Sequence, residues 1–68
     1  MAKSQHIVVL ITTLRYEEAY KIAEALVAQR KAACVNIVPK VNSLFRWQDK
    51  IEEAEESLLL AKTRAELF

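Results

Sequence analysis

A chain of 68 residues allows one domain. Chains of about 60 residues bury only about 60% of the surface they expose when unfolded, so such a domain needs further support. Apolar residues make up 53% and charged residues 28%, a globular rather than a disordered composition, and a formal net charge of +1 is no electrostatic footprint for nucleic acid.

In chain order, residues 1–5 (MAKSQ) are a polar start with nothing to fix them, expected to fray. His6 to Leu10, continuing through Ile11 to Thr13, reads as a strand. It is β-branched and apolar on both faces, so it belongs in the interior of a sheet with both sides covered. Residues 16–31 change period: Ala19, Ile22, Ala23, Leu26 and Val27 form one apolar stripe on a helix. Glu17 and Glu18 in its first turn and Arg30 and Lys31 in its last match the helix dipole, and Thr13 is the nearest capping residue.

A second strand covers 33–38, with Val35 and Ile37 on one face and Cys34, Asn36 and Val38 on the other. Pro39 lacks a ladder donor, so the strand there is at an edge, bent or bulged. It resumes over 41–47 with Val41, Phe45 and Trp47 sharing a face, and Gln48-Asp49 form a two-residue turn. Residues 50–56 carry Glu52, Glu53, Glu55 and Glu56 and face solvent or basic partners, before an apolar strand over 57–62. Thr63-Arg64-Ala65-Glu66 has the form of a capping box opening a second helix, which the chain barely begins. A β-α-β-β order ending at the start of a helix is expected of a truncated domain.

Several function classes are excluded along the way. The chain contains no glycine, where average usage of ~7% would give roughly five. Glycine-rich phosphate loops and dinucleotide fingerprints are therefore absent. There is no Ser/His/Asp set, CxxC or HExxH, so no catalytic residue is assigned and no enzyme is expected. The single cysteine, Cys34, excludes an internal disulfide, and Cys34 with the single histidine, His6, cannot close a zinc site within one chain. Association with other chains is the support that remains. The longest apolar stretch, 7–11, is far short of the ~20 residues a membrane span needs, and no signal-peptide pattern is present. A cytoplasmic protein with no membrane and no nucleic-acid partner is expected.

The order β-α-β-β-α suggests an α+β, ferredoxin-like split βαβ sheet. Five strings sharpen this: Thr12-Thr13 after the first strand, Arg30 to Asn36 (RKAACVN), Ser43-Leu44-Phe45 with Trp47, Lys50 to Glu53 (KIEE), and Leu58-Leu59-Leu60 with Lys62-Thr63. In this order and spacing they resemble the CutA (divalent-cation tolerance) family over residues 7–66. The resemblance implies a cytoplasmic homotrimer in which long, bent hairpin strands pack across subunits. Its implied role is divalent-metal tolerance with no catalytic reaction, and its implied cofactor is a divalent metal ion, copper in particular. This chain departs from the family pattern at Asp49, where glycine is usual, at Phe45, where tyrosine is usual, and at 14–16, where a proline often enters the helix. The family's second half, with its second helix, fourth strand and His-Pro-Tyr-type motif, has no counterpart here.

Candidate site residues follow. Cys34 is a candidate copper ligand, since thiolate suits Cu(I), with His6 as a second; the plain alternatives are a small buried residue on a strand and a strand-opening polar residue. Trp47 and Lys62 are candidates for an inter-subunit cleft holding a small anion, as in PII-type signalling trimers; the alternative for Trp47 is interface packing together with Val41 and Phe45. The glutamates could hold a hard cation, yet strand alternation leaves only Glu53 and Glu55 on one face, so a charged edge that discourages strand addition is the simpler account.

Overall fold

The computed structural model describes residues 5–67. In chain order the elements are β1 (His6–Thr13), α1 (Tyr16–Ala28), β2 (Cys34–Trp47), β3 (Lys50–Arg64) and a single 3-10 turn, Ala65–Leu67. The expected fraying of 1–4 lies outside the described residues. Gln5 does not fray, because its carbonyl accepts a 2.9 Å bond from the Ala65 N–H.

The sheet is antiparallel, in the order β1-β3-β2. Both β1 and β2 run against β3, so they are parallel to each other with β3 inserted between them, and α1 makes the crossover. This is the split βαβ unit of a ferredoxin-like α+β fold.

Side chains at odd positions of β1 meet the helix. Ile11, Ile22, Val35 and Ile37 pack against a cluster of Ala19, Ala23 and Leu59. Alanine on the contacting face of α1 lets the helix lie close to the sheet. The result is a thin core: of the five buried apolar residues among those described, Leu59 alone is large, the others being Ala19, Ala23, Ala32 and Ala61.

The even positions give the principal correction. β1 is an edge strand, and Val8 and Leu10 on its second face are 55% and 64% exposed. A segment apolar on both faces signals that both faces become covered, but the described residues cover only one.

The helix ends at Ala28, three residues earlier than its pattern suggests, so Arg30 and Lys31 lie beyond the last turn. Lys31 N–H donates to the Leu26 carbonyl (2.9 Å) and Arg30 N–H to the Val27 carbonyl (3.0 Å), with Arg30 at φ 59°. These two bonds make a Schellman ending, in which the left-handed residue is usually glycine. At the other end Arg15 holds the capping position without a side-chain bond, and the Thr13 hydroxyl donates to the Arg15 carbonyl at 2.8 Å.

Pro39 marks a bulge rather than a break. Val38 faces Leu58 and Val41 faces Glu56, so β2 holds one more residue than β3 across this stretch. The Ser57 hydroxyl donates to the Pro39 carbonyl at 2.8 Å, satisfying a group the ladder leaves over. The extra residue also reverses the alternation, so Val41, Phe45 and Trp47 lie on the same face as Cys34, Asn36 and Val38. The hairpin closes through Gln48 (φ 49°) and Asp49 (φ 63°), the positive pair that a two-residue primed turn requires.

The second helix does not open as expected. β3 runs on to Arg64, the Thr63 hydroxyl donates to the Lys31 carbonyl, and the 3-10 turn follows.

Candidate functional site: the bare face of the sheet

The face away from α1 is a continuous strip made of cross-strand rows. Val8, Lys62 and Cys34 form one row, Leu10, Leu60 and Asn36 the next, and Thr12, Leu58 and Val38 the third. Beyond the bulge, Val41 pairs with Glu56, Ser43 with Ala54, Phe45 with Glu52 and Trp47 with Lys50. Phe45 and Trp47 are 46% and 60% exposed. Aromatic and branched apolar residues left open on a sheet face constitute a candidate interaction surface. The residues expected to pack in an assembly, Val41, Phe45 and Trp47, all lie on it.

Cys34 is an exposed thiol at the start of this strip, 3.9 Å from the Asn36 side-chain oxygen. The buried reading of Cys34 is thereby corrected, because β2 is an edge strand and none of the described residues covers its even-numbered face there. His6 opens β1 on the same face but pairs with Arg64, while Cys34 pairs with Lys62. With β3 between them, their Cα atoms are on the order of 12 Å apart and two cationic residues intervene. Among the described residues no three His, Cys, Asp or Glu side chains come together as a metal site. Neither His6 with Cys34 nor the glutamates form one within a single chain. Glu55 instead makes an exposed 3.2 Å pair with Lys40.

Trp47 and Lys62 are not brought together. Trp47 pairs with Lys50 at the hairpin tip and Lys62 with Cys34 in the body of the sheet. About 12 residues of β3 separate the two rows, on the order of 40 Å of extended chain. An anion cleft built from both is absent within one chain.

Sequence reasoning missed Val8, Leu10, Val38, Leu58 and Leu60 as members of a surface. The signal was present in the two-faced apolarity of 6–11 and the SLLL run, but it was read as burial inside one domain. It also missed Arg30, whose left-handed φ depends on where α1 stops.

A β-α-β-β sheet with one helix-covered face, a bulged hairpin and a bare apolar strip defines a ferredoxin-like α+β module. The model of the CutA1 divalent ion tolerance protein family matches residues 7–68, and the chain belongs to that family. It is 54% identical over 61 residues to the divalent-cation tolerance protein CutA of Thermus thermophilus, covering 90% of this chain and 59% of that relative. Over 57 residues it is 42% identical to human protein CutA, covering 84% of this chain and 32% of the human protein. Among solved structures, rice CutA1 superposes with a TM-score of 0.87 at 38% identity, over 93% of this chain and 58% of that one. The chain thus spans less than two thirds of the length of these relatives.

Proposed function

We propose that this chain acts in divalent-cation tolerance as a non-catalytic homotrimer that binds copper. The observation carrying the proposal is the bare face. The chain exposes 5637 Å², where a folded monomer of 7.8 kDa exposes about 4,400 Å². Its radius of gyration is 14.5 Å, against about 11 Å for a domain of this length. A core whose only large member among the described residues is Leu59 does not offset that exposure, and covering the strip supplies the missing burial. The three-fold arrangement, with the strips of three copies facing one another, is part of this proposal and is the one that the resemblance to the family implies.

Cys34 is the soft donor on this strip, and one chain contributes too few ligands by itself. Three copies supply three thiols to a shared centre, a donor set that suits Cu(I). Sedimentation equilibrium, with copper titration of the parent and of Cys34→Ala, tests both parts. The expected result is a trimer in each case, with copper bound by the parent alone. A monomeric parent removes the assembly, and equal copper stoichiometry in the two proteins removes Cys34 from the site.

A further inference from the structure

We draw no further inference here: the strongest candidate, the exposed patch of Leu14, Tyr16 and Tyr20 at the start of α1, with the two tyrosine rings 6.4 Å apart, is an unpartnered helix face, and nothing in the structure shows what covers it.

Discussion

Replacing Leu10 by glutamate separates a lone folded chain from an assembled one. Leu10 is 64% exposed and sits opposite Leu60 on the bare face, directly behind a core that it does not touch. In an isolated chain the change is a surface substitution, worth no more than about 0.5 kcal/mol either way. In an assembly that covers the strip, each copy buries on the order of 100 Å² at this position, worth about 2.5 kcal/mol at 25 cal/mol per Å². Three copies lose about 7.5 kcal/mol from this burial alone, roughly five to six orders of magnitude in the association constant. Burying a new carboxylate in each copy adds to that loss. Sedimentation equilibrium gives the mass directly. Urea denaturation at several protein concentrations gives the coupling, because the midpoint of an obligate oligomer rises with concentration. The parent midpoint should rise with concentration, and Leu10→Glu should be monomeric and markedly less stable. Identical mass and identical, concentration-independent midpoints for the two proteins would refute the claim that this face is covered.

Two further changes probe the chain's own packing. Leu59→Ala removes the one large, fully buried side chain and should cost about 2–5 kcal/mol, enough to unfold an isolated chain, with loss of far-ultraviolet circular dichroism as the readout. Ser57→Ala removes the hydroxyl held by the Pro39 carbonyl and should cost about 1–2 kcal/mol. Amide exchange in that variant should quicken at the bulge, around 38–41, while β1 keeps its protection; uniform protection along β2 would count against the role given to Ser57.

Much of this arrangement could be read from local pattern. The helical stripe around Ala19 and Ala23, the alternation of Val35 and Ile37, and the turn at Gln48-Asp49 all appear where their spacing places them. Pro39 announced an irregularity because a residue without an N–H cannot serve a regular ladder. The strings shared with the CutA family carried the fold class, and the likeness to solved CutA1 structures bears it out.

Other features were beyond local reading. The end of α1 at Ala28 depends on carbonyl partners supplied by Arg30 and Lys31 once the chain turns back toward β2. Thr63 resembled a helix cap, yet its hydroxyl reaches the Lys31 carbonyl, 32 positions earlier in the chain.

Composition and periodicity determined that this chain forms strands and one helix, with an apolar surplus too large for its length, because those properties reside in neighbouring residues. Only the tertiary structure decided which face keeps that surplus. The one-residue bulge reverses the alternation of β2 and places Phe45 and Trp47 on the same face as Cys34, and strand order leaves β1 at an edge. Both are consequences of register, which is settled by pairing between distant segments and is invisible in either segment alone.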